Sequence, residues 1–413
     1  MRRSCTSFAA LLAPLLAIAP PAQAQAHVRL GVDRLADSLP AVLVGKRVGL
    51  ITNHTGRDRA GTPTIDLLAA RKDIKLVALF GAEHGIRGVA TGRVDDSADE
   101  KTGLPVYSLF GATEKPTDAM LENVDALVFD IQDVGVRQYT YLSTMALAMQ
   151  AAAHKKIPFV VLDRPNPIGG TIVEGNIREP GMESFVGLYP IASRHGLTAG
   201  ELATLYNKEF GIGADLHVVR LEGWKRELWS DQTDLPWIKP SPNLPTFAGV
   251  ISYPGTVFFE GTNLSEGRGS DAPFEQTGAP WLRAQEVADS MNARHLPGVQ
   301  FSARDFAVLP GTRKYGGQTI HGVHITVTDR ETYRPVGTTL RLIETIRRLH
   351  PSDFQWRHST ASPGAVETYY FDTLTGSKLT RAAIENGTLE TLLAEWERDA
   401  ERFREMRKPY LLY

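Results

Sequence analysis

The chain reads as a parallel α/β sheet followed by a smaller α+β unit. Two observations predict this. Four apolar runs in the first half each end in polar, reactive side chains: residues 50–56 (LITNHTG), 76–85 (LVALFGAEHG), 127–141 (LVFDIQDVGVRQYTY) and 159–167 (FVVLDRPNP). Helix-like segments separate most of these runs, the alternation expected of strand–helix–strand units. Ligands of such sheets lie beyond the carboxyl ends of the strands, where loops meet helix N-termini. Asn53, His54, Glu83, His84, Asp130, Gln132, Asp133, Arg137, Asp163, Arg164 and Asn166 are therefore expected along one rim, and a cluster of this kind reads as an active site.

Taken in order, strands are predicted at 47–52, 75–80, 105–109, 126–131, 158–163 and 216–220, and helices at 63–70, 140–154 and 198–210. Pro63 suits a first helical turn, where its missing N–H costs nothing, with Thr62 as N-cap. Thr198 followed three residues later by Glu201 has capping-box spacing. The two prolines of Asp163-Arg164-Pro165-Asn166-Pro167 lack the amide donor that a helix or central strand needs, so a stiff loop is expected there. Residues 237–281 are rich in Pro, Gly and Asn, which predicts little regular structure. The aromatics Tyr253, Phe258, Phe259, Phe274 and Trp281 argue against disorder, so this stretch is expected to be an ordered loop packed on the strand rim. Beyond it, 321–329 alternates like a half-buried strand, 338–349 has helical periodicity and 390–407 is a charged amphipathic helix. The apolar ending PYLLY is expected to dock on the body. The expected domains are 27–281 and 282–413.

Residues 1–26 have the organisation of an export signal: Arg2 and Arg3, an apolar stretch at 8–19, and small-x-small cleavage sites ending at Ala24 or Ala26. The apolar stretch is too short to span a bilayer, and no later one approaches that length. Cys5, the single cysteine, precedes the apolar stretch, so neither a lipid anchor nor disulfides, thiolate ligands or a cysteine nucleophile are expected in the mature chain. A net charge of −2 gives no broad basic surface for nucleic acid, and 42% hydrophobic with 22% charged residues is an ordinary globular composition. A soluble protein of the bacterial periplasm, or a secreted one, without stable membrane anchoring is expected.

GAEHGIRG places Glu83 and His84 between glycines directly after a strand, where the backbone turns tightly and approaches a ligand. A partly desolvated carboxyl there suits general-acid work; the other reading is that Glu83 pairs with Arg87 or Arg137 and only holds the loop. His54, His84 and His195 lie on separate segments with no HExxH or HxH spacing, which disfavours a catalytic metal. Asp130, Gln132, Asp133, Arg137, Tyr139 and Tyr141 offer groups suited to sugar hydroxyls and carboxylates, or else a carboxylate–arginine network that stiffens the loop. Arg164 and Asn166 are further candidates for binding, and Glu174 is the leading candidate for a second carboxyl in acid/base work, with a loop salt bridge as its alternative. EGTNLSEGRGS lacks the order of a phosphate loop, and no GxGxxG follows the first strand, so nucleotide binding is disfavoured and Glu260, Asn263, Glu266 and Arg268 read as substrate-loop groups. Ser265 and Ser270 lack a GxSxG elbow.

GAEHGIRG, FDIQDVGVRQYTY, LDRPNPIGG, SRHGLTAGE (with Arg194 and His195), KPSPNLP, EGTNLSEGRG and the ending KPYLLY together resemble one family, the bacterial exo-β-N-acetylmuramidases, peptidoglycan hydrolases long classed as a domain of unknown function. The resemblance covers nearly the whole mature chain. It implies a Rossmann-like N-terminal domain, a smaller C-terminal domain with a cleft between them, and cofactor-free release of N-acetylmuramic acid from the non-reducing ends of peptidoglycan-derived saccharides. The family's proposed catalytic glutamate matches Glu83. Glycoside hydrolysis needs a proton donor and either a nucleophile or a base for water. Glu174 stands as the second group with Asp130, Asp133 and Glu266 in competition, and the substrate's own acetamido group is a third route. Arg164, Arg137 or Arg268 is expected to grip the lactyl carboxylate. A non-catalytic periplasmic sugar or muropeptide receptor on the same two-lobed plan is the alternative of a different class, and a metal-dependent hydrolase is the third.

Overall fold

The computed structural model describes residues 25–87, 95–359 and 368–413, so the expected export signal lies outside the described residues apart from its last two positions. The described strands are, in chain order, β1 Arg47–Thr52, β2 Lys75–Gly81, β3 Ser97–Ala98, β4 Pro105–Ser108, β5 Ala126–Asp130, β6 Phe159–Leu162, β7 Glu174–Ile177, β8 Ala192–Arg194, β9 Leu216–Val219, β10 Gln276–Ala279, β11 Val299–Ala307 and β12 Thr319–Val327. The main sheet runs β3-β4-β2-β1-β5-β6-β9. All its pairings are parallel except β3 with β4 at one edge. The parallel strands thus lie in the doubly wound Rossmann order, with the reversal between β1 and β5.

Period-two alternation sorts the strand residues onto two faces. Val48, Leu50, Val128 and Leu162 join Val32 and Leu35 of helix Gly31–Asp37 and Ile65 and Leu68 of helix Thr64–Ala69. Ile51, Phe129 and Val161 face Met145 of helix Tyr141–Lys155 and Leu202 of helix Ala199–Glu209. This second core continues without a break through Tyr253 and Phe258 into Val336, Leu340 and Phe371, so both halves of the chain share it. The capping box forms as expected: Thr198 accepts from the Glu201 amide at 3.2 Å, and the Glu201 carboxylate accepts from the Thr198 amide at 3.0 Å. Pro63, rather than Thr62, is the residue that precedes helix Thr64–Ala69 as its cap.

The stretch expected to be an irregular loop holds more structure than its composition suggests. It contains helix Phe247–Thr256, a 3₁₀ turn at Val257–Gly261, and β10. Pro254 sits inside that helix, and the burial of Val250, Tyr253 and Pro254 outweighs its poor propensity. Gly255 permits the close approach of helix Pro335–Leu349, since a Cβ there would meet the Pro335 carbonyl oxygen at 2.0 Å. β10 pairs with β12 in the antiparallel sheet β10-β12-β11, so the smaller sheet takes a strand from before residue 282. The chain end docks as expected. The Tyr413 hydroxyl donates to Asp163 at 2.7 Å and accepts from the Leu221 amide at 2.8 Å, while the Leu412 amide donates to Glu201 at 2.8 Å. Among the described residues no helix is long and apolar enough to cross a membrane.

Candidate active site

Glu83 stands in the turn that follows β2. The Gly85 amide closes the turn on the Ala82 carbonyl at 2.9 Å, with His84 at φ 73° and Gly85 at φ 70°. A left-handed histidine costs on the order of 1 kcal/mol, and such strain persists where the surroundings over-determine it. The turn buries His84 and leaves Glu83 half-buried at the rim. Glu83 Oε2 accepts from Thr140 Oγ1 at 2.6 Å, and the Glu83 carbonyl accepts from the Tyr141 hydroxyl at 3.4 Å. Thr140 precedes helix Tyr141–Lys155, so the carboxylate lies at a helix N-terminus, where the aligned peptide dipoles favour negative charge.

A column of phenols backs this position. Tyr139 meets Tyr141 edge-on at 4.8 Å between ring centroids and Tyr253 at 5.9 Å. The Tyr139 and Tyr141 hydroxyls both donate to the Pro240 carbonyl, at 2.9 and 3.2 Å, which fastens the KPSPNLP segment to the rim. Burial, and then Glu83, push the Tyr141 hydroxyl up, while Asn53 beside it pulls the other way.

A second cluster of charged groups comes from EGTNLSEGRG and later parts of the chain. Arg268 bridges Glu260 at 2.7 Å and Glu266 at 3.1 Å, and Lys314 closes on Glu266 at 2.9 Å. Burial alone would raise the Glu266 carboxyl; Lys314 and Arg268 outweigh it and hold Glu266 below its usual range. Burial, then Glu260, raise Tyr370 to about 12, and Glu83 acts in the same direction. Tyr253 is likewise pushed well up by burial, with both Glu260 and Glu83 contributing. Glu83 and Glu260 thus bear on the same two phenols.

Most of the other expected site residues are engaged within the protein. Asp130 and Arg164 form a buried two-bond pair, Nε to Oδ1 at 2.5 Å and Nη2 to Oδ2 at 3.0 Å, with Thr64 also donating to Asp130. Arg137 is buried on the carbonyls of Asn176, Ile191 and Thr375. Asp163 accepts from the amides of Arg164 and Gly200 and from the hydroxyls of Thr198 and Tyr413. Gln132 donates to the carbonyls of Asp133 and Pro165, and Asn166 to that of Leu197. His195 is buried 3.6 Å from Asp133, whose carboxylate accepts from the Gly135 amide. Asn53 accepts from Thr55, and Asn263 ties itself to Asp353 and Gln355. His54 donates Nε2–H to the Lys239 carbonyl at 2.7 Å, which fixes its tautomer because a carbonyl only accepts. Arg87 pairs with Asp99 and does not hold Glu83. Among the described residues no three His, Cys, Asp or Glu side chains come together as a metal site.

Glu174 does not join Glu83. β7 carries it to helix Pro335–Leu349, where Oε1 accepts from the Gly337 amide at 2.9 Å beside Arg194, itself buried against Trp229 with Nη2 on the Ile168 carbonyl. Burial pushes the Glu174 carboxyl up to about 7. The native state therefore binds this proton more tightly than the unfolded chain does. The corresponding stability is full below the ordinary carboxyl range and is lost as pH rises through about 7. Glu174→Gln is expected to gain melting temperature relative to the parent protein as pH rises from about 5 to 8, with turnover unchanged. Thermal melts across that range check it, and a collapse of turnover would restore Glu174 to the reaction.

Sequence reasoning missed Thr140, Lys314, Arg357 and Tyr370. Thr140 sat in view within the QYTY segment; the other three belong to no motif and reach the site only through the packing of the second half. The crevice at the strand-order reversal, where Rossmann sheets hold nucleotides, is closed by the chain itself. Thr55, Gln132, Arg164, Pro165 and Trp237 leave a hollow of about 50 Å³, far below the several hundred of a ligand pocket.

The family described as exo-beta-N-acetylmuramidase NamZ matches the chain in two parts, the N-terminal one over residues 48–248 and the C-terminal one over residues 251–413. The peptidoglycan beta-N-acetylmuramidase NamZ of Bacillus subtilis (strain 168) is 50% identical over 389 residues, 94% of this chain and 91% of that protein. Two crystal structures of DUF1343 family proteins from Bacteroides fragilis NCTC 9343 share the fold. BF0371 has a TM-score of 0.84 at 37% identity, covering 95% of this chain and 100% of that one. BF0379 has a TM-score of 0.71 at 32% identity, covering 94% and 99%. The two matched parts meet within helix Phe247–Thr256, between the rim that carries Glu83 and the segments that carry Glu260, Arg268 and Tyr370. Matched over both halves, and half identical to a member along nearly its whole length, the chain belongs to the exo-β-N-acetylmuramidase family.

Proposed function

We propose that this protein hydrolyses the glycosidic bond of a terminal N-acetylmuramic acid at the non-reducing end of peptidoglycan fragments, with Glu83 as the general acid/base. The observation that carries the reading is family membership over both halves, with a half-buried glutamate presented where those halves meet. Glu83 is half-buried at the rim, and Thr140, which precedes helix Tyr141–Lys155, orients its carboxyl. Glu260, paired with Arg268 and acting with Glu83 on Tyr253 and Tyr370, would stabilise positive charge developing at the anomeric carbon, or assist the attacking group. Export through residues 1–26 would put the enzyme beside its polymer in the periplasm or outside the cell.

Release of nitrophenol from a nitrophenyl β-N-acetylmuraminide, with the matching β-N-acetylglucosaminide as control, tests the activity. Turnover of the muraminide alone is expected. Absence of turnover with binding of N-acetylmuramic acid intact would make the protein a receptor instead.

A further inference from the structure

Resting on that reading, we propose that Arg357, laid against the ring of Tyr370, is the group that receives the lactyl carboxylate of the substrate. N-acetylmuramic acid differs from N-acetylglucosamine by a lactyl ether on C3, two ring carbons from the anomeric carbon. A site selective for it needs a cation on the same saccharide subsite as the proton donor. The three arginines whose sequence context suggested this role are all engaged: Arg164 with Asp130, Arg137 on three backbone carbonyls, and Arg268 between Glu260 and Glu266. Lys314 is closed on Glu266 and on the carbonyls of Phe259 and Leu264.

Arg357 differs from these. Among the described residues it has no carboxylate bonded to it; its one side-chain bond is from Nη1 to the Glu260 carbonyl at 3.2 Å. Its guanidinium lies 4.6 Å from the centroid of the Tyr370 ring, the same tyrosine on which Glu83 and Glu260 both act. The backbone presets its position. The Arg357 amide donates to the Gly261 carbonyl at 2.8 Å, and its carbonyl accepts from the Tyr370 amide at 2.9 Å. Asn263 pins the preceding turn at Asp353 and Gln355. A stacked, half-buried guanidinium loses little freedom on gripping a planar carboxylate. Burial and then Arg313 lower its pKa, more than Tyr370, Glu260 and Glu266 restore, and no carboxylate bonds its guanidinium directly among the described residues. An incoming carboxylate supplies what the protein withholds.

The test is calorimetric binding of N-acetylmuramic acid and of its lactyl amide, which keeps the shape and removes the charge. The parent protein, Arg357→Gln and Arg357→Lys are compared, with thermal melts as the control for folding. Arg357→Gln is expected to weaken binding of the acid roughly 10- to 100-fold, the range of a charged hydrogen-bond pair, to leave the amide unchanged, and to be partly rescued by Arg357→Lys. Equal losses for acid and amide, or no loss for the acid, would overturn the assignment. Hydrolysis of the muraminide is followed in parallel. Loss of the activity reading with Arg357-dependent binding intact sinks only the proposed reaction, whereas turnover with indifferent binding sinks only the role of Arg357.

Discussion

Glu83→Gln is expected to cut turnover by about 10²- to 10⁴-fold, the range of a positioned proton donor, while leaving the fold and the affinity for N-acetylmuramic acid in place. Glutamine keeps an oxygen to accept from Thr140, and the turn at His84 and Gly85 does not depend on the charge, so melting should shift little. The leaving group supplies a sharper readout. Nitrophenolate departs with little protonation, whereas a sugar alkoxide must be protonated as the bond breaks. A general acid lost at Glu83 therefore costs more on a muramyl–glucosamine disaccharide than on the nitrophenyl substrate. Equal losses on both would mean that Glu83 only shapes the cleft, and undiminished turnover on both would remove it from the reaction.

The sheet was legible because its information is local. Strand runs, the stiff Asp163–Pro167 loop, the Thr198–Glu201 box and the apolar chain end are each written within a few consecutive residues, and the rim loops follow from where strands end. What could not be read is set by partners distant in sequence. An arginine in a rim loop looks the same whether it awaits a carboxylate or already holds one, and only the fold places Arg164 on Asp130. Glu174 follows a rim motif in the chain, yet the β7–β8 hairpin carries it away to the start of helix Pro335–Leu349. Arg357 and Tyr370 lack a motif because their position depends on the pairing of their backbone with each other and with Gly261. Helix Phe247–Thr256 was hidden by its proline and two glycines, whose low propensity is overridden by burial of its apolar face.

Arg164 and Arg357 present two arginines with one expected ligand, and their substitutions should fail in opposite ways. Arg164→Ala leaves Asp130, with no exposed surface, as an unpaired buried carboxylate that still accepts from Thr64. Breaking a buried pair in this manner costs about 3–5 kcal/mol, a large part of the 5–15 kcal/mol that holds a typical protein folded, by rough general measure. Urea denaturation should therefore show a midpoint shifted strongly downward. The double change Asp130→Leu with Arg164→Leu should recover part of the loss, because the stranded charge goes with its partner. Below the melting range, KM for the muraminide should stay near that of the parent protein. Arg357→Gln reverses the pattern, raising KM with little change in the urea midpoint. A raised KM together with an intact midpoint in Arg164→Ala would return that arginine to the substrate, since a guanidinium whose Nε and Nη2 are spent on Asp130 and the Arg57 carbonyl keeps only Nη1 and cannot grip a second carboxylate through two bonds.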